Sequence, residues 1–115
     1  KGSYQGGAIF PGMTIASKAL HEHTAKIPLV WVEKQEALCG KTTEEAVKIG
    51  LYHGYQQLIN GMITAYRAMD PSLQVIGTGA GLQVVQDALA LDAFVPDLIV
   101  EGLALCSDYL VAEFK

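Results

Sequence analysis

The sequence predicts an α/β fold in which short strands alternate with helices. Three observations carry that prediction. Compact apolar runs (YQGGAIF, LVWV, LQVI) alternate with longer stretches whose apolar residues recur every three or four positions. Gly and Pro punctuation separates the two kinds of segment, at Pro11-Gly12, Pro28, Asp70-Pro71 and Gly77–Gly81. Half of the 115 residues are hydrophobic and 17% are charged. That is enough apolar material for a packed core and too little charge for a disordered chain.

Taken in order, Tyr4–Phe10 reads as a short buried strand. The pair Gly6-Gly7 inside it marks a bulge or a close backbone approach, and Pro11-Gly12 closes it as a turn. A helix is expected from Thr14, as its cap, to about Lys26, with Ile15, Ala19, Leu20 and Ala25 at roughly helical spacing. Pro28 ends it, and Leu29–Val32 reads as a second strand. The longest element begins at Thr42/Thr43 and runs to Met69 through Val47, Leu51, Tyr55, Leu58, Met62 and Tyr66. Gly50, Gly54 and Gly61 lie inside it, and each costs about 1 kcal/mol of helix stability relative to alanine. Their expected reason is the close approach of another helix, inside one monomer or across a dimer seam. Asp70-Pro71-Ser72 stops this helix. Leu73–Ile76 reads as a third strand, Gly77–Gly81 as a glycine loop, Leu82–Leu91 as a helix and Asp97–Glu113 as the last helix. Residues 1–115 show no internal boundary or repeat.

The formal net charge is −4, and the few Lys and Arg residues are scattered, which argues against nucleic-acid binding. The two cysteines, Cys39 and Cys106, have no metal-like spacing and are read as reduced, in a cytosolic compartment. No apolar run approaches the ~20 residues of a membrane span. The first residue is Lys1, and a strand-like segment follows almost at once, so the chain reads as a piece of something longer.

Residues 39–46, CGKTTEEA, contain the end of a phosphate-loop pattern. The pattern needs its first glycine at position 35, which is Gln35, and the intervening residues supply no glycine. A helix start explains the stretch better. Thr42 and Glu45 fit a capping box, and Glu44 and Glu45 suit the positive end of the helix dipole. Such a start still offers unpaired N–H groups to a polar ligand. Gly77–Gly81 follows a strand and opens a helix, where α/β folds bind phosphates or nucleosides, although the dinucleotide fingerprint fails at Leu82. His21 and His23 would point about 200° apart on a helix and would not share a metal ion. His53 is read as the partner of another side chain. Glu101 and Asp92 are candidate carboxylates with no nucleophile beside them, so no catalytic residue is assigned.

Several stretches together resemble the C-terminal half of type III pantothenate kinase. YQGGAIFPG (Tyr4–Gly12) is similar to that family's Tyr-x-Gly-Gly-x-Ile-x-Pro-Gly, and TAKIP (Thr24–Pro28) follows it. GKTTEEAVKIGLYHGY (Gly40–Tyr55) resembles the family's Gly-Lys-Asn-Thr and long glycine-bearing helix. VIGTGAG (Val75–Gly81) stands where the family has a strand and Thr-Gly-Gly, and VPDLIVEGL (Val95–Leu103) resembles its Asp-Leu-x-x-x-Gly-Leu.

The resemblance implies an RNase H-like lobe of an actin-like (acetate and sugar kinase) fold, incomplete without an upstream segment. It implies transfer of the ATP γ-phosphate to pantothenate, the first step of coenzyme A synthesis, with Mg²⁺ and a monovalent cation (K⁺ or NH₄⁺). It also implies a homodimer, here through the helix spanning residues 43–69. Thr43 falls on the family's pantothenate-contacting threonine, and Gly79, Ala80 and Gly81 fall near the nucleotide-side turn. Thr42 stands in place of asparagine, and Ala80 interrupts Gly-Gly. The family's phosphate motifs and catalytic aspartate lie upstream of the Tyr-x-Gly-Gly start. This chain alone is therefore expected to be inactive without an N-terminal lobe or companion chain. The Ala80 departure motivates a second reading, a non-catalytic relative acting in assembly or regulation.

Overall fold

The computed structural model describes residues 2–113. Helix α1 spans Met13–His23, α2 spans Thr43–Met69, and α3 spans Leu98–Glu113. Two short strands, β1 (Ile76–Gly77) and β2 (Ala93–Phe94), pair in parallel with Ile76 opposite Ala93 and Gly77 opposite Phe94. Mixed helices and a parallel pair make the α/β class expected from the sequence.

Helix α2 is the axis of the molecule. Its start is a complete capping box: the Thr42 side chain accepts from the Glu45 amide at 3.1 Å, and the Glu45 carboxylate accepts from the Thr42 amide at 3.3 Å. Its end at Asp70 matches the expected stop. One cluster, Val30, Val47 and Leu51, joins α2 to α1 through Ala16, Leu20 and Ile27. A second cluster, Tyr52, Val85 and Leu89, joins α2 to the connection between β1 and β2.

Several elements differ from their sequence readings. Helix α1 starts one residue before Thr14, with Gly12 rather than a hydroxyl at its cap, and ends at His23. The Thr24 hydroxyl donates to the Leu20 carbonyl there, and the chain turns extended before Lys26. Leu29–Val32 is extended but joins no ladder. Ser17 holds it instead, donating to the Val30 carbonyl at 2.7 Å and accepting from the Val30 amide at 3.3 Å. Tyr4–Phe10 is neither a paired strand nor buried: Tyr4 is 88% exposed and Ile9 fully so. Its composition suits a strand, but no neighbouring strand stands beside it among the described residues.

The expected helix Leu82–Leu91 is replaced by two 3₁₀ turns, Ala80–Leu82 and Gln86–Ala88. The cause is long-range. The Asn60 side chain donates to the Ala88 carbonyl and accepts from the Ala90 amide, both at 2.8 Å. This clamp on α2 holds the segment in a shape that seats Val85 (1% exposed) and Leu89 against Tyr52. The third strand is narrower and later than expected, and β2 was not anticipated.

Helix α3 matches its expected span yet buries none of its residues; Ile99, Val100, Leu103, Leu105 and Tyr109 are all at least 65% exposed. Total accessible surface is 8797 Å². A compact monomer of this mass exposes roughly 6,100 Å², an excess of roughly 2,700 Å². Counted on one side only, that excess is at least the half-share that one partner contributes to an obligate interface.

Candidate functional site

Gly40, Lys41 and Thr42 lead into α2 in a fixed shape. A Cβ at Gly40 would stand 2.5 Å from the Ala46 nitrogen and 2.7 Å from the Glu45 carbonyl carbon, so the glycine lets the chain lie against the first helical turn. The amides a phosphate loop would offer are already taken. Lys41 and Thr42 both donate to Glu45 Oε2, at 2.8 and 3.3 Å. The capping reading of GKTT holds, and its glycine serves packing rather than a phosphate cradle.

Thr43 is the first residue of α2 and is exposed. With Glu45 capped and Ala46 bonded to the Thr42 carbonyl, the Thr43 and Glu44 amides have no partner among the described residues. Thr43 lines an open, largely apolar groove of about 330 Å³ with Leu20, Ile27, Ala46, Val47, Gly50 and Leu51. A hydroxyl and two free amides at one end of an apolar groove suit a small molecule with one polar end and an aliphatic body.

Gly79, Ala80 and Gly81 lie elsewhere. Gly79 has φ +99°, the conformation that favours glycine, while Ala80 opens a 3₁₀ turn without strain. The turn therefore tolerates the Ala80 departure. Ala80 and Gly81 border a cavity of about 470 Å³ whose other walls are Gly12–Ile15 and Val30–Val32. No side chain caps α1, and the residues of its first turn line that cavity. The sequence does not announce this contribution of α1, because Thr14 reads there as a cap and the shift to Gly12 is visible only in the fold. Thr43 and the 79–81 turn share no cavity.

Other candidates turn out to be structural. Asp92 accepts from the Val75 amide at 2.6 Å and from Arg67 at 3.0 Å, tying β2 to β1 and to α2. The Val75 amide first, then Arg67, holds its carboxyl below the ordinary 3.8. A depressed acid stabilises the fold above its unfolded pKa, and that contribution is lost as pH falls through the folded value. Asp92→Asn is therefore expected to be destabilising at pH 7 and to lose that penalty at an acid pH below the folded value, where wild-type Asp92 has taken up its proton. Denaturant titrations of the full-length protein at the two pH values test this; an equal loss at both would contradict it. His53 donates to the backbone carbonyl of Ala37 at 3.0 Å rather than to a side chain. His21 donates to the Ile27 carbonyl at 2.8 Å. Glu101 is exposed on α3. Cys39 and Cys106 are both exposed and unpaired. No helix of the described residues is long and apolar enough to cross a membrane.

The family model for type III pantothenate kinase matches residues 1–65, more than half of the chain. The chain belongs to the type III pantothenate kinase family. It is similar to the type III pantothenate kinase of Persephonella marina, 41% identical over 105 residues, covering 90% of this chain and 41% of that protein. The Phenylobacterium zucineum enzyme of the same name is 36% identical over 104 residues, with 89% and 40% covered. The Methylacidiphilum infernorum one is 32% identical over 115 residues, with 96% and 42% covered. The chain thus spans about two fifths of the length of these curated relatives. Both the Thr43 groove and the Gly12–Ile15 wall fall inside the family-matched residues, whereas the 79–81 turn lies beyond them.

Proposed function

We propose that the complete protein transfers the γ-phosphate of ATP to pantothenate, giving 4'-phosphopantothenate for coenzyme A synthesis. On this reading residues 1–115 form the C-terminal, RNase H-like lobe of an actin-like kinase, with no internal boundary. The observation that carries it is the start of α2: an exposed Thr43 hydroxyl beside free amides, at the mouth of an apolar groove. Pantothenate has polar ends and a dimethylated aliphatic body, which matches that lining. The Thr43 hydroxyl orients the acceptor, and the base that takes its proton belongs to the upstream lobe.

The nucleotide is proposed to occupy the cavity between the α1 start and the 79–81 turn, whose walls include the uncapped first turn of α1, a place that favours phosphate. Among the described residues no group of three His, Cys, Asp or Glu side chains gathers to hold a metal. Mg²⁺ is commonly held by one or two carboxylates together with substrate phosphates, so the family's Mg²⁺ and monovalent cation are proposed to arrive with the nucleotide, and no step here runs through them. Phosphoryl transfer depends on positioning and on stabilising the transferring charge. This chain supplies the first in part and needs the upstream lobe for the second. A cytoplasmic homodimer is proposed. Gly50, Gly54 and Gly61 fall within about 40° of one another around α2, and all three are exposed. A Cβ at any of those glycines would meet nothing within 4 Å, so the helix they admit is not among the described residues. Sedimentation of the full-length protein at a single chain's mass would remove the dimer.

Thr43→Ala in the full-length protein is expected to raise the pantothenate KM by about tenfold, the worth of one hydrogen bond to a polar ligand, and to leave the ATP KM unchanged. An unchanged pantothenate KM would remove Thr43 from the acceptor site. The alternative, a non-catalytic relative, rests on Ala80. Calorimetry of the full-length protein separates the two readings: binding of neither ATP nor pantothenate favours the alternative.

A further inference from the structure

The segment before α2 is anchored to it at both ends, and the anchors lie along one side of the helix. Glu45, Ile49 and His53 are spaced i, i+4 and i+8, so they form one row. Glu45 accepts from the Lys41 and Thr42 amides at one end. His53 donates to the Ala37 carbonyl at the other, 3.0 Å away. Between them Gly40 rests on the backbone of Glu45 and Ala46. The chain from Ala37 to Thr42 therefore runs back along α2 as a strap. Ile49, midway in the row, is only 7% exposed, while Leu38 on the strap is 74% exposed. One turn further from the strap's start, Lys48 bonds Glu33 at 3.0 Å and Glu44 at 3.2 Å, holding the approach to Ala37 as well.

This strap has no helix or strand of its own, so its shape is set by these few ties. It delivers the chain directly into the Thr42 cap and hence into Thr43. We propose that His53 is a positioning residue for acceptor binding: by clasping Ala37 it fixes the strap, which fixes Thr43 at the groove. The proposal rests on the acceptor reading of Thr43. His53 touches no substrate in this scheme; it acts through the strap. Releasing the clasp leaves the exposed Lys48–Glu33 pair as the nearest upstream tie, lets the Ala37 end move, and loosens the Glu45 grip on Lys41 and Thr42. The far cavity, walled by Gly12–Ile15 and the 79–81 turn, does not involve the strap. The effect should therefore fall on the acceptor and spare the nucleotide.

The test uses full-length protein carrying His53→Ala or His53→Gln. Hydrogen–deuterium exchange reads the strap, and steady-state kinetics reads pantothenate and ATP separately. In His53→Ala, the Lys41 and Thr42 amides, the strap amides that hold a hydrogen-bond partner, are expected to exchange about fivefold faster, the scale of one net hydrogen bond, and the pantothenate KM to rise about fivefold. The ATP KM stays within about twofold. His53→Gln keeps an N–H donor at nearly the same reach and is expected to restore both. Unchanged strap exchange in His53→Ala overturns the clasp. Faster exchange with an unchanged pantothenate KM, in a protein whose wild type phosphorylates pantothenate, overturns the positioning role alone. A wild type that does not phosphorylate pantothenate overturns the acceptor reading and this proposal together.

Discussion

Gly40→Ala is expected to destabilise the full-length protein by about 1–3 kcal/mol and to weaken pantothenate use at the same time. The added methyl carbon would sit 2.5 Å from the Ala46 nitrogen. That neighbour is helix backbone, which cannot swing aside as a side-chain tip can. The strap must lift or the first turn of α2 must unwind, and either movement carries Thr43 with it. Denaturant unfolding and the pantothenate KM should therefore shift together in this variant. In Thr43→Ala the KM should move while stability stays nearly constant, since an exposed side chain is being trimmed. A Gly40→Ala protein with wild-type midpoint and wild-type KM would show that the strap does not lie against α2 in solution.

The second large effect is expected from Tyr52→Ala, at about 3–5 kcal/mol, the range for removing a buried aromatic ring. Tyr52 is 7% exposed and packs with Val85 and Leu89, the two buried residues of the β1–β2 connection. Without the ring the 3₁₀ segment keeps its Asn60 clamp but loses the surface it rests on. Tyr52→Phe preserves the ring and is expected to stay within about 1 kcal/mol of wild type. Urea unfolding of both variants decides the matter; equal losses in the two would assign the effect to the hydroxyl rather than the ring. The ring also stands edge-on to His53, with centroids 5.0 Å apart. Tyr52→Ala should therefore loosen the strap as well, and its exchange pattern should resemble that of His53→Ala.

What could be read from the sequence was what local chemistry decides. The capping box needs only Thr42 and Glu45, three residues apart, and its outcome follows from the two side chains alone. The body of α2 and the span of α3 follow from periodicity. The connection 82–91 could not be read the same way. Leu82–Leu91 has helical spacing, yet Asn60, 28 residues before Ala88, clamps it into 3₁₀ turns. Likewise β2 exists because Asp92, Thr78 and the parallel register tie it down; Thr78 donates to the Val95 carbonyl at 2.7 Å. A two-residue strand carries almost no pattern of its own. Tyr4–Phe10 has the right composition, but pairing is a property of the neighbour as much as of the segment.

The same division holds for the site. The position of Thr43 at the start of α2 was legible because it follows from the cap one residue earlier. The α1 wall of the second cavity was not, because it depends on how α1 meets the 79–81 turn across the fold. His53 was legible only as a residue in need of a partner. The partner is a backbone carbonyl 16 residues earlier, and no side-chain pattern announces that.

The extended run from Tyr4 to Phe10 has a practical consequence. Its peptide groups make no backbone hydrogen bonds among the described residues, and Tyr4 and Ile9 face outward. Such a ribbon is an adhesive rim on which another chain's ribbon can zip. In any preparation of these residues alone, rising concentration will favour fibrous or amorphous clumping over a clean solution, and a charged residue in place of Ile9 is the simplest way to keep molecules apart.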